Sequence, residues 1–372
     1  MNEKNLDVYR ELQKHLDTMP VGFPATKSGL ELRVLQFIFT PEEAQLATKL
    51  KFQPEPLKKI CRRVKKTGIS MEELEQKLDV MYKKGAVNFS KRIEGDEEIK
   101  YYGCAPFAIG FYEFQLNRMT KEFTKDAREY IKTVFVKDEY NKTGIPQLRT
   151  IPIEQSIDYE LSISSYDEFR SVIENIGEPI AVSECICRKG MVLLGHPCEK
   201  TNLHESCFSF RTAAKVRIDQ DLAREITKEE ALEILKKAEE DGLVLGPANS
   251  QRPFILCTCC RCCCDLLISQ KKLVEPAQFF ATNFYAEVDP DLCEGCGTCK
   301  ERCNMDAVHI EDNIAQVDKT WCIGCGVCVP TCTAEAIKLH KKEVEIVPPK
   351  NTIATYTAIM DRKAELVRAE KN

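Results

Sequence analysis

The chain has 372 residues, 43% of them apolar and 30% charged, and a formal net charge of −5. That length calls for two to four domains, each with its own core, and that composition excludes a disordered, fibrous or membrane-embedded class. So small a net charge argues against a chain committed as a whole to nucleic acid. Met1 to Leu16 mixes polar and apolar residues without a cleavage site, so no signal peptide is expected. No stretch approaches the roughly 18 apolar residues a membrane span requires, and the cytoplasm is the expected compartment.

From the N-terminus, Leu30 to Phe39 reads as a helix, and Thr40 breaks it and caps a second, with Pro41 in its first turn ahead of Glu42 and Glu43. Glu55 to Lys66 places Leu57, Ile60, Cys61 and Val64 on one helical face and Lys58, Lys59, Arg62, Arg63 and Lys66 largely on the other. Thr67-Gly68 makes a turn. Ser70 then caps a helix with the apolar stripe Met71, Leu74, Leu78 and Met81. Ala86–Phe89 and Ile99–Tyr102 are expected to form a hairpin around Glu94-Gly95-Asp96. Helix, turn, helix and two-stranded wing is the layout of a winged-helix domain, expected over residues 1–118. Glu72, Glu73, Glu75 and Asp79 sit where such a domain would meet DNA, and phosphates would repel them, so specific DNA binding is not expected. Cys61 is expected to act as a buried small hydrophobe and Cys104 as a loop thiol.

Residues 119–275 form an expected middle domain. Asp126 to Phe135 reads as helix, Asn141 to Pro152 as a loop, and Pro179 to Val182 as a short buried strand. Thr227 to Asp241 is an amphipathic helix capped by Thr227, with Glu230 placed to close a capping box. The distinguishing feature is sulfur. Of 20 cysteines, 18 lie from Cys185 onward. A reducing compartment disfavours disulfides, so clustered thiols point to metal. The middle region holds ten: Cys185, Cys187, Cys198, Cys207, Cys257, Cys259, Cys260, Cys262, Cys263 and Cys264. An extended ECICRKG would put Cys185 and Cys187 on one side, with Arg188 placed to offset thiolate charge. In CTCCRCCC neighbouring side chains diverge, so adjacent cysteines should serve different centres, or only a subset should ligate. Ten thiols suffice for one or two further cubane clusters, a less common cluster, or zinc, with His196 and His204 near enough in sequence for a mixed Cys/His zinc site.

The third region, 276–345, holds a repeat. Cys293, Cys296, Cys299 and Cys303 follow C-x2-C-x2-C-x3-C, and Cys322, Cys325, Cys328 and Cys332 repeat it at a constant offset of 29 residues. Gly295, Gly297, Gly324 and Gly326 allow tight turns whose N–H groups face the sulfurs. Four-cysteine zinc sites more often pair two CxxC units. Tyr285 to Leu339 therefore resembles the bacterial two-cluster 4Fe–4S ferredoxins. The resemblance implies a βαβ-like pseudo-twofold layout in which the fourth cysteine of each run serves the other cluster. One cluster would take Cys293, Cys296, Cys299 and Cys332, the other Cys322, Cys325, Cys328 and Cys303. The usual proline after the fourth cysteine is Asn304 in one run and Thr333 in the other. Ala286–Val288 and Ala315–Val317 read as strands, Asp306–Ile310 and Ala334–Leu339 as short helix ends. Residues 346–372 carry a terminal helix, Thr355–Glu370.

The stretches GFPATKSGLELRVLQFIFTPEEAQLA, GFYEFQLNR, ECICR, ITKEEALEIL, CTCCRCCC and NFYAEVDPDLCEGCGTC extend the resemblance across most of the chain. Together they are similar to multidomain 4Fe–4S binding proteins of anaerobic microbes with an N-terminal winged helix, of multidomain α+β class. That resemblance implies electron transfer of some kind, and the first reading of the clustered cysteines is a carrier or subunit passing single electrons between a low-potential donor and a partner oxidoreductase, with a larger oxidoreductase complex as one setting. Two alternatives are a redox-responsive winged-helix regulator and a catalytic oxidoreductase acting at the middle centre. No GxxxxGK[ST] loop or GxGxxG fingerprint occurs, so nucleotide hydrolysis and a standard dinucleotide fold lack support.

Overall fold

A computed structural model of the chain describes residues 3–158 and 163–370. The chain divides into two compact units, residues 1–140 with 216–222, and residues 141–215 with 223–372.

In the first unit, the helix Leu30–Ile38 is followed by Pro41–Ala47, whose N-cap Thr40 forms a full capping box with Glu43. The basic helix is shorter than the sequence suggests, Leu57–Val64, because Glu55–Pro56 (β1) is drawn into a sheet. Ser70 and Glu73 form a second capping box at the start of Met71–Lys83. Leu74, Leu78 and Met81 are buried as the apolar spacing requires, but Met71, in the first turn, is 47% exposed. Val87–Glu94 (β2) and Glu97–Cys104 (β3) pair in full register around Gly95-Asp96, and β1 joins on the far side of β3. Two of the acidic residues on Met71–Lys83 are already engaged: Lys100 of β3 bonds Glu75 at 2.8 Å and Asp79 at 2.7 Å. Cys104 ends a strand rather than lying in a loop, and its buried thiol donates to the Ala47 carbonyl at 3.4 Å. The expected helix at Asp126 begins earlier, at Lys121, capped by Thr120, and continues through wider turns from Ile131 to Tyr140.

The second unit is built on a five-stranded antiparallel sheet. Its strands in chain order are Ile180–Glu184 (β4), Glu205–Phe210 (β5), Arg224–Ile226 (β6), Val244–Pro247 (β7) and Ile255–Cys259 (β8), arranged β6-β4-β5-β8-β7. The helices Phe169–Asn175 and Lys228–Glu240 pack Val172, Ile173, Ala231 and Leu235 against Ile180, Val182, Phe208 and Leu256 of the sheet. Thr227 caps the second helix by accepting from the Glu230 N–H at 3.2 Å; the Glu230 carboxylate pairs with Arg224 at 2.7 Å instead of closing a box.

Beyond the sheet, Phe284–Val288 (β9) pairs with Ile337–Lys341 (β12), and Val308–Glu311 (β10) pairs with Ile314–Val317 (β11). The segments expected as helix ends at Asp306–Ile310 and Ala334–Leu339 are therefore strand from Val308 and from Ile337 onward. Val308 and Ile337 alternate with His309 and Lys338, which is the period of a half-buried strand. The C-terminal helix runs Thr352–Ala369, capped by Asn351, and is held to its own unit by Thr355, whose hydroxyl donates to the Asn249 carbonyl at 2.7 Å. Among the described residues, no helix is long and apolar enough to cross a membrane.

Candidate metal centres

All the clustered cysteines lie in the second unit, and they gather into four sets. Two come from the 29-residue repeat. Cys293, Cys296 and Cys299 line one small cavity together with Cys332 from the other run. Cys303 lies beside Cys322 and Cys325, and Cys328 lies beside all three; burial pushes the Cys303, Cys325 and Cys328 thiols up. The backbone is aimed at these sulfurs in pairs that keep the same offset. Ala315 N–H donates to Cys293 Sγ at 3.3 Å and Ala286 N–H to Cys322 Sγ at 3.4 Å; Ala307 N–H donates to Cys303 and Ala336 N–H to Cys332, both at 3.3 Å. Such donors stabilise a thiolate and its bound metal. The loops are also pressed close to neighbouring strands. A Cβ on Gly295 would come within 2.1 Å of the Asn313 carbonyl oxygen, and one on Gly324 within 2.2 Å of the Phe284 carbonyl oxygen. A donor set of four thiols with sulfur-directed amides in a side-chain-free cradle fits a 4Fe–4S cluster.

Residues 315–338 match a family of 4Fe-4S binding domains. This part of the chain is a 4Fe–4S binding domain. It carries Cys322, Cys325, Cys328 and Cys332, and gives the chain an iron–sulfur, electron-transfer character. No curated protein and no solved structure matches the chain.

The ten middle cysteines form the other two sets. On the sheet, Cys207 of β5 stands directly opposite Cys257 of β8, and Cys259, two residues on, shares the face of Cys257. Cys207, Cys257, Cys259, Cys264, Cys187 and Cys185 follow one another in space, each thiol close enough to the next to perturb it. Cys207 is also near enough to Cys185 for their charges to interact, so the six make one ring-like set. ECICRKG is not extended, however. Cys185 is the N-cap of the helix Ile186–Leu193, and Cys187 meets Cys185 from that helix's first turn. Sharing protons around the ring lowers the Cys185 and Cys264 thiols, each through its bond to Cys187, and raises Cys187, Cys257 and Cys259.

The fourth set is Cys198, Cys260, Cys262 and Cys263, with all four sulfurs within 4.8 Å of one another. Adjacent cysteines thus part company at Cys259/Cys260 and at Cys263/Cys264, as diverging side chains require. Cys262 and Cys263 do not, because the turn closed by Cys264 N–H on the Cys260 carbonyl at 3.0 Å curls both to one side. His196 and His204 are in neither set: the tetrad is all sulfur. Arg188 is buried between the two sets, its guanidinium bonded to Ser206, to the Leu203 carbonyl at 3.3 Å and to the Thr258 carbonyl at 2.6 Å. Burial alone would depress its pKa; the neighbouring Cys185 and Cys260 sulfurs reverse that and raise it.

Two residues invisible as functional in the sequence connect the sets. Asn304, in the usual proline position, is buried; it donates to the Gly242 carbonyl at 2.8 Å and accepts from the Arg261 N–H of the CTCCRCCC turn at 3.0 Å. Its departure from proline was the available signal. Arg302 donates to the Glu239 and Glu240 carbonyls at 2.9 and 2.6 Å, covering the C-terminus of helix Lys228–Glu240. Beneath that cap the Glu239 side chain is buried, accepting from the Glu154 N–H at 2.7 Å, and burial pushes its carboxyl up to about 7. An acid whose folded pKa lies above its unfolded value loses stability as pH rises from the unfolded pKa through the folded one. Glu239→Gln is expected to be more stable than the parent by roughly 2 kcal/mol at pH 8, with the gap narrowing as pH falls toward 5.5. Urea midpoints measured anaerobically across that range check it, and an unchanged midpoint at pH 8 contradicts it.

Proposed function

We propose that this chain is an electron-transfer protein, passing single electrons between a low-potential donor and a partner oxidoreductase, with a larger oxidoreductase complex as its setting. The observation that carries the proposal is that the thiol sets adjoin. Cys259 and Cys264 of the six-membered ring share one apolar core with Cys303, Cys322 and Cys325, along with Val244, Leu267, Phe280 and Ile323. Cys328 in turn lies beside Cys299 of the remaining repeat set.

The repeat supports a two-cluster ferredoxin arrangement with exchanged fourth cysteines, in a pseudo-twofold domain over 276–345. Cys293, Cys296, Cys299 and Cys332 would hold one cluster and Cys322, Cys325, Cys328 and Cys303 the other. The six-membered ring, within a cysteine-rich domain 119–275, would hold a further one. Bound there, the clusters supply one-electron exchange and no proton-transferring triad is needed. The chain's own groups do the rest. Backbone amides and Arg188 offset thiolate charge, and the apolar packing between sets excludes water. Asn304 and Arg302 keep the repeat in register with the turn and helix beside it. Cys296 is exposed, which supports that end as the partner's approach. The first unit, read as a winged helix over 1–118, fits protein docking better than DNA, since its helix Met71–Lys83 still presents Glu72 and Glu73 to solvent.

Anaerobic reconstitution with iron and acid-labile sulfide counted per chain, followed by an EPR-monitored redox titration, tests the proposal. More than about eight iron per chain and at least three one-electron centres are expected. A count of about eight removes the ring from the proposal, and zinc in place of iron at the repeat removes electron transfer altogether.

A further inference from the structure

The tetrad differs from the repeat sets in scale. Cys198 Sγ lies 3.7 Å from Cys260 Sγ and 3.6 Å from Cys262 Sγ, and Cys262 and Cys263 sulfurs are 3.7 Å apart. A tetrahedron of sulfurs around one zinc ion, at a Zn–S distance of about 2.3 Å, has edges of about 3.8 Å. A cubane imposes a different spacing, because each thiolate sits on a different iron at an outer corner of the cube, so the sulfurs stand well apart. The same molecule supplies the comparison. Among the described residues, no other three His, Cys, Asp or Glu side chains gather within 4.8 Å, the eight repeat cysteines included.

We infer that Cys198, Cys260, Cys262 and Cys263 hold a single zinc ion, separate from the iron–sulfur centres, as a structural clamp. The surroundings suit that occupant. The backbone N–H groups of Lys200 and Thr201 face Cys198 Sγ, which fixes the sulfur in a tight knuckle. Arg188, beside Cys260 and Cys198, balances part of the double negative charge that four thiolates leave on a divalent ion. Ala238, Leu243, Met191 and Leu203 pack around the sulfurs.

The clamp has a mechanical consequence. Cys198 comes from the irregular segment between helix Ile186–Leu193 and β5, while the other three come from the turn after β8. One ion therefore crosslinks the two segments from which the ring draws its sulfurs. Cys259 and Cys264 flank the clamped turn directly, and Cys187 packs against the tetrad's own core. A closed, four-coordinate all-cysteine site with no open position is what a structural zinc requires, and its metal affinity is folding free energy for the loops it joins.

The test uses the anaerobically purified full chain with its clusters. About one zinc per chain is expected beside the iron, and zinc-edge X-ray absorption should show four sulfurs at about 2.3 Å. The double variant Cys198→Ser/Cys262→Ser should lose the zinc and keep the iron attached to the repeat, seen as unchanged EPR signals from those centres. Absence of zinc from the parent protein, a zinc shell containing nitrogen or oxygen, or a double variant that loses iron from the tetrad in place of zinc overturns the inference. Should the double variant not fold, the absorption spectrum of the unaltered protein decides alone. The iron count and EPR signals, read on the same sample, keep a failure here separate from a failure of the electron-transfer proposal.

Discussion

Replacing Cys303 by serine is expected to remove the iron held with Cys322, Cys325 and Cys328, and to leave in place the iron held with Cys293, Cys296 and Cys299. By sequence Cys303 closes the first run. In space it lies beside Cys322 and Cys325, while the first three sulfurs of its own run line a cavity with Cys332. The Ala307 N–H that bonds Cys303 Sγ orients it further. A serine oxygen is a poor substitute for thiolate at iron, so about four iron per chain and one of the two repeat EPR signals should go. Two companions identify which signal is lost. Cys325→Ser should remove the same one as Cys303→Ser, and Cys296→Ser the other. If Cys303→Ser and Cys296→Ser abolish the same signal, each run holds its own cluster and the exchanged arrangement is wrong.

Local rules were legible wherever the chemistry is local. Thr40, Ser70 and Thr227 cap the helices their sequences announce, and the 29-residue offset was visible in the cysteines before any contact was known. What escaped depends on partners far away in sequence. Val308 to Ile310 and Ile337 to Leu339 are too short to separate a strand from a helix end by periodicity, and only pairing with β11 and β9 decides them. ECICRKG could alternate as a strand or turn as a helix; the sheet ends at Glu184 and Cys185 caps a helix. In CTCCRCCC, divergence of neighbours predicted that adjacent thiols would serve different centres or that only a subset would ligate. The assignment itself rests on where β5 pairs with β8 and on where the turn at Cys260 closes. Asn304 bridges segments 43 and 62 residues away, which no local pattern reveals.

Gly324→Ala is expected to be among the most damaging single changes in the domain, although it adds one methyl group. Gly324 has φ +62°, where an L side chain costs roughly 1–2 kcal/mol on backbone grounds alone. The larger effect is the close approach. The added Cβ would meet the Phe284 carbonyl oxygen at 2.2 Å and Thr282 Oγ1 at 2.8 Å. Phe284 is not free to retreat, since it opens β9 and is paired with Lys341 of β12. Relief must come from the Cys322–Cys325 loop moving outward, which pulls Cys322 Sγ from the Ala286 N–H that bonds it at 3.4 Å. Loss of about four iron per chain is therefore expected, with poor accumulation of intact protein. Gly297→Ala separates the two causes. Gly297 also has a left-handed backbone, φ +79°, but a Cβ there meets nothing within 4 Å. It should cost only about 1 kcal/mol and retain its iron. Equal loss of iron from both variants would mean that backbone conformation, and not the press of the loop against β9, is what the glycine supplies.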